Sequence, residues 1–233
     1  MTLAGVDGCK AGWFLVFVDA TAQIRSAVFP TPAELCEGLA TADIAAVDVP
    51  IGLTDSGTRV CDQEARKVLR SPRASSVFSP PIRPVLLAET REDASAAQKQ
   101  IDGRGIGAQA WGIFPKICEW DSYLRTHPQI AKRVFEVHPE VSFWALNAHR
   151  PMRHGKKSPE GRRERRDLLA REFGAHALDE ARSRHIRREV ADDDLHDAFV
   201  ALWTAGRIHA GVAKYLPDVR LHDSAGLPMA IWY

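Results

Sequence analysis

The hydrophobic and polar positions form short β-rich runs first and helical periods later. Residues 2–7 and 12–18 (GWFLVFV) are apolar, aromatic or β-branched, and a short glycine turn joins them. IRSAVF at 24–29 adds a third run, so the chain opens on an antiparallel meander. Pro32 stands where a first helical turn would begin and PAELCEGLA carries helical spacing. IAAVDV at 44–49 is then a short buried strand stopped by Pro50.

Beyond Asp55 the pattern is mixed. DQEARKVLR and residues 85–100 read as helix, whereas SPRASSVFSPPIRP reads as loop from its prolines and serines. After the connection IDGRGIG, AQAWGIFPKICEWDSYLR resumes a helical period that Gly112 and Pro115 should break. RVFEVH at 133–138 predicts a strand, and Pro139 opens a short helix, PEVSFWAL. HRPMRHGKKSPEGRRERR is polar and basic, and Ser158-Pro159-Glu160 within it has the signature of a helix start. The strongest helical period lies at 194–213, where Leu195, Ala198, Phe199 and Leu202 make one apolar face. DVRLH and LPMAIWY close the chain as two β runs about Gly226. The order predicts a single α/β domain over 1–233, with helical and loop insertions at about 55–130 and 147–190.

Composition narrows the class. With 233 residues, 45% hydrophobic and 26% charged, the chain can bury a sizeable core and is neither disordered nor fibrous. It has no run of eighteen apolar residues and no N-terminal targeting pattern, so no membrane association is expected. Cys9, Cys36, Cys61 and Cys118 stand far apart, without CxxC pairs or histidines at zinc spacing. Reduced thiols and a cytoplasmic location follow as expectations. The net charge of +1 names no polyanionic partner, but residues 151–190 carry 12 Arg and Lys against 7 Asp and Glu. That surplus faces phosphates in one reading and is a solvated helix surface in the other.

Three apolar runs each carry a carboxylate near the C-terminal end: Asp7 in AGVDG, Asp48 in AAVDVP and Glu136 in VFEVHPE. An acid in so apolar a strand costs several kcal/mol to desolvate unless it is paired or holds a cation. Each also has a local alternative. Asp7 could be a turn residue of the hairpin, Asp48 could pair with an arginine, and Glu136 could hydrogen-bond the turn at His138-Pro139. Asp192 to Asp194 have the positions of helix-capping acids, whereas Asp197 lies one turn in, at i+3 from Asp194 and on the same side. Carboxylates without matching cysteines or histidines suit a hard divalent cation, Mg²⁺ or Mn²⁺. His138 and His196 are read as polar neighbours. Lys10 in the glycine turn and Trp111, available for stacking a base, are candidate substrate contacts. Lys156, Lys157, Arg162, Arg163 and Arg166 form the basic group suited to a polyanion.

At this point the chain resembles the ribonuclease H-like fold in its Holliday-junction-resolvase-like branch. Asp7 with the GCKAGW hairpin, Asp48 in DVPIGL, and Asp194 and Asp197 in DLHDAF carry the resemblance. More closely, VDGCKAGW, AAVDVPIGL, SVFSPP, WGIFPKI, VFEVHPEVSFWAL, KKSPEGRRERR and DDDLHDAFVALWTA resemble a family described only as a domain of unknown function and predicted to be ribonuclease H-like nucleases. The resemblance implies a mixed five-stranded sheet, with three antiparallel strands followed by parallel ones, flanked by helices. It makes Asp7 the bridging metal ligand, Asp197 the ligand on the last helix, Asp48 the fourth-strand acid and Asp194 a helper. Resolvase-type enzymes usually place Glu at the fourth-strand position, and Glu136 has no clear counterpart among them.

The expected function is a Mg²⁺- or Mn²⁺-dependent nuclease acting on DNA or RNA. Asp7, Asp48, Glu136 and Asp197 would be its catalytic acids, and Asp7, Asp48, Asp194 and Asp197 its metal ligands. A nucleotide-binding phosphotransferase or ATPase of the actin-like type is the competing reading, because such proteins share the sheet and a first-strand D-G-x-x-x-G hairpin. A non-catalytic nucleic-acid-binding protein is a third, and a homodimer is kept open as an assembly.

Overall fold

Alternating side chains in the first three runs give an antiparallel meander of β1 (Thr2–Cys9), β2 (Gly12–Val18) and β3 (Ile24–Phe29). A computed structural model describes residues 2–38 and 42–233 of the protein. The elements that follow are α1 (Pro32–Gly38), β4 (Ala42–Val47), α2 (Val60–Arg73), α3 (Arg91–Asp102), α4 (Ala108–Gly112), α5 (Phe114–Thr126) and α6 (Pro128–Ala131). After these come β5 (Val134–Glu136), α7 (Pro139–Leu146), α8 (Pro159–Phe173), α9 (Ala175–Arg184), α10 (Asp192–His209), β6 (Tyr215–His222) and β7 (Pro228–Trp232).

The main sheet has five strands in the order β3-β2-β1-β4-β5. β4 runs parallel to β1 and β5 parallel to β4, so the sheet is antiparallel on one side and parallel on the other. This is the arrangement expected from the ribonuclease H-like resemblance. β6 and β7 form a separate hairpin, tied to the chain after β5 by a bridge between Val137 and Trp232.

The period of two in β1 sends Ala4 and Val6 to one face and Leu3 and Cys9 to the other. The first face packs with Trp13, Leu15 and Val47 against Leu35 of α1 and Ile117 and Trp120 of α5. The second packs with Phe14 and Val16 against Ala198, Phe199 and Leu202 of α10, and α8 and α9 lie behind through Leu169 and Leu178. The sheet is therefore covered on both faces, as its parallel half requires.

Three expectations are adjusted. β1 does not stop at Asp7: Gly8 and Cys9 stay paired with Trp13 and Gly12, which leaves Lys10 and Ala11 as the two-residue turn. Asp7 is thus an interior strand residue opposite Phe14 and not a turn residue. Residues 86–90 do not join a helix: a single 3-10 turn ends at Val85, and α3 begins only after Thr90, whose side chain accepts a hydrogen bond from the Asp93 N–H. The basic segment beyond His149 is part loop and part helix, with Ser158 accepting from the Gly161 N–H at the start of α8. Leu39 and Ala40, the end of the segment expected to be helical, lie outside the described residues. Gly112 and Pro115 do mark the break between α4 and α5. All four cysteines are free thiols, and no helix among the described residues is long and apolar enough to cross a membrane.

Candidate metal centre

A missing side chain positions the last helix. A Cβ on Gly5 would fall 2.1 Å from the Leu202 nitrogen and 2.2 Å from the Ala198 oxygen, so the backbone of α10 lies directly on β1. Asp197 precedes Ala198 in α10, and Asp7 lies two residues beyond Gly5 on the same face of β1. The third acid arrives by strand pairing. Asp48 follows the last residue of β4, and its N–H donates to the Val6 carbonyl at 2.9 Å. Oxygen atoms of Asp7, Asp48 and Asp197 all lie within 4.8 Å of one another.

Asp7 is 6% exposed and Asp197 1%, whereas Asp48 is half-buried. Asp7 Oδ1 accepts the Gly8 N–H at 2.8 Å, and Asp197 Oδ2 accepts from Lys156 Nζ at 2.6 Å. Asp197 Oδ1 is buried and has no hydrogen-bond partner. Burial pushes the Asp7 carboxyl well above the usual range, and the neighbouring Asp48 and Asp197 push it further. Asp48 is pushed up to about 6, chiefly by burial, with His138 opposing the shift and Asp197 adding to it. The Asp197 carboxylate in turn holds the Lys156 ammonium above its ordinary range. Three acids confined with one touching ammonium leave a surplus of negative charge and an unfilled oxygen, which fits a hard divalent cation with oxygen ligands.

These acids line a cavity of about 490 Å³. Asp194, Lys157, Lys116, His138, Arg73 and Phe78 are among the residues around it. His138 Nδ1 is buried without a partner, while its Nε2 lies 3.4 Å from the Ser76 carbonyl. Lys116 Nζ sits 4.3 Å above the centre of the Trp13 ring system and donates to the Gly12 carbonyl. A second cavity, of about 430 Å³, lies between β5 and the β6–β7 hairpin and holds none of the three acids.

The predicted residues separate into three groups. Asp7, Asp48 and Asp197 meet, with Lys156 on Asp197 and Lys157 and Asp194 beside them. Asp194 is primarily a cap, since its Oδ2 accepts the Ala191 N–H at 2.9 Å at the start of α10. Glu136 lines the same cavity but stands outside the three-acid cluster, in a group with Cys61 and Asp62. Its oxygens accept from Arg59 at 2.7 and 2.8 Å and from the Ile51 N–H at 2.7 Å. Lys10 is exposed in its turn, and Trp111 packs on Phe114 with ring centres 4.6 Å apart; neither borders the cavity. Arg162 donates to the Lys157 carbonyl, Arg163 is exposed on α8, and Arg166 pairs with Asp179 at 2.9 Å; these three also lie off the cavity.

His138 lies at the cavity as a polar neighbour of the acids, whereas Arg73 and Lys116 reach it through long-range packing that no local sequence pattern announces. His196 is buried with its Nδ1 unpartnered, and burial lowers its pKa to about 4.

Fold and site together define a class: an α/β protein whose central strands and last helix bring three acids to one cavity. Residues 5–221 match the family model described as "Protein of unknown function (DUF429)", and the chain belongs to this family. No curated protein and no solved structure matches it.

Proposed function

We propose that the protein is a Mg²⁺- or Mn²⁺-dependent phosphodiester hydrolase acting on nucleic acid. The observation that supports this most is the convergence of Asp7, Asp48 and Asp197 within 4.8 Å, with an unpartnered buried oxygen on Asp197. A divalent cation held there would supply Lewis-acid activation of a water and charge stabilisation at a departing oxygen. Asp7, Asp48 and Asp197 would hold the cation, and Asp194 caps the start of α10, one turn before Asp197.

The cations around the cavity do a different task. Arg73, Lys116 and Lys157 lie where they can receive the charge of a phosphodiester. Cations beside a three-acid cluster in one cavity support a substrate that carries phosphate. His138, beside Asp48 and with a free Nδ1, can take or give a proton at that atom. Glu136 lines the same cavity, but with Arg59 on both its oxygens it is assigned no holding role.

The test is incubation of purified protein with single- and double-stranded DNA and RNA in the presence of Mn²⁺ or of chelator. Cleavage that needs the metal and is lost in Asp7→Asn is expected. Equal cleavage by that variant would assign the activity to a contaminant.

A further inference from the structure

We propose that Lys156 is the resident counter-ion of the acidic centre, and that a divalent cation binds by displacing its ammonium from Asp197. This rests on the metal reading above and adds a named competitor to it. Lys156 Nζ lies 2.6 Å from Asp197 Oδ2, in a cluster whose other Asp197 oxygen is buried and unpartnered. A cation already satisfies part of the centre, and the remaining acceptor is still open.

The surroundings of Lys156 make the displacement feasible. Its side chain is 38% exposed, whereas that of Asp197 is 1% exposed, so the stem leads from solvent into the cluster. The loop carrying it is anchored independently of the ammonium. Glu164 accepts the Arg153 and His154 N–H groups at 3.0 and 3.2 Å, and the Ser158 side chain accepts from Gly161 at 3.0 Å. A Cβ on Gly161 would lie 2.0 Å from the Gly155 carbonyl, so α8 holds the loop at close range. The side chain can therefore swing outward without unfolding its loop. A lysine suits this task because its charge is a compact point on a flexible stem, whereas an arginine fork would lock both carboxylate oxygens. Once displaced, Lys156 would stand beside Lys157 at the cavity wall, where both can meet phosphate.

The experiment has two arms, both with MnCl₂ alone. In the first, calorimetry measures Mn²⁺ affinity of the wild type, Lys156→Met and Asp7→Asn. Removing a competing charge from the ligand oxygen should tighten binding about tenfold or more in Lys156→Met, and Asp7→Asn should lose it. In the second, the wild type is acetylated with an amine-reactive reagent and mapped by mass spectrometry. Lys156 should be protected without metal and become several-fold more reactive with it, while the exposed Lys67 stays unchanged as a reference.

Equal Mn²⁺ affinity in wild type and Lys156→Met, with no change in Lys156 reactivity, would overturn the displacement and leave the metal centre standing. No Mn²⁺ binding by either protein would overturn both. If Lys156→Met fails to fold, the acetylation arm on the wild type decides.

Discussion

Two clusters of acidic side chains in this protein have their ligand atoms within 4.8 Å of one another, and they differ in how their charge is balanced. Cys61, Asp62 and Glu136 lie as close together as Asp7, Asp48 and Asp197 do. In the first cluster Arg59, 2% exposed, places its guanidinium between the two acids. It donates to Asp62 at 2.6 and 3.1 Å and to Glu136 at 2.7 and 2.8 Å. Burial still pushes Glu136 up to about 7, with Arg59 pulling it back. That cluster is closed, since one buried guanidinium donates four hydrogen bonds and reaches both oxygens of each acid. In the second, one flexible lysine touches one oxygen of three acids, and a buried acceptor is left over. Proximity of carboxylates is common to both clusters; what differs is how far a resident cation balances them.

Breaking the closed cluster should have the largest effect. Arg59→Met would leave Asp62 and Glu136 buried without a counter-ion, at a cost of about 3–5 kcal/mol, read as a large drop in denaturation midpoint. Next comes Gly5→Ala, whose methyl would meet the backbone of α10. A loss of about 3 kcal/mol is expected, together with loss of the Mn²⁺-induced rise in melting temperature, because Asp197 moves with the helix. The Arg59 cluster contains no α10 residue, so that variant separates the two regions.

Asp48→Asn should act in the opposite direction on the metal-free protein. It removes a repelled charge and should stabilise by about 1–2 kcal/mol near pH 8, while abolishing stabilisation by Mn²⁺. The pH dependence follows the same sign. Asp48 holds its proton to about pH 6 when folded, against an ordinary 3.8, so the folded state binds more protons than the unfolded state across that window. Its contribution to metal-free stability is therefore present at low pH and is lost as pH rises through about 6. Melting curves in chelator should show the gap between wild type and Asp48→Asn widening in that direction. The smallest effect belongs to Asp194→Ala, which removes a cap for about 0.5–1 kcal/mol. Its Mn²⁺ affinity should change far less than that of Asp7→Asn; an equal loss would make Asp194 a ligand.

Much of the fold was legible because it rests on local patterns: alternation in β1 to β3, the proline that ends the β4 segment, and the single apolar face of α10. The three meeting acids could be found as charges on strands or helices otherwise built to be buried. Glu136 gave the same signal, and what sets it apart is Arg59, 77 residues away along the chain and without periodicity to announce it. Lys156 was grouped with its basic neighbours, whereas its partner lies 41 residues on in α10. Arg165, in the same run, turns inward to pair with Glu140 and is wholly buried. Which member of a basic run faces solvent, an internal acid or the cavity is set by tertiary packing, and sequence spacing does not carry that information.

The central claim is that Asp7, Asp48 and Asp197 together hold a divalent cation. Crystals soaked in MnCl₂ and measured for anomalous scattering test it most directly. A manganese peak bonded to oxygens of all three acids, with Lys156 withdrawn from Asp197, is expected. An empty cluster with Lys156 still on Asp197, at millimolar Mn²⁺ and with intact diffraction, would contradict it.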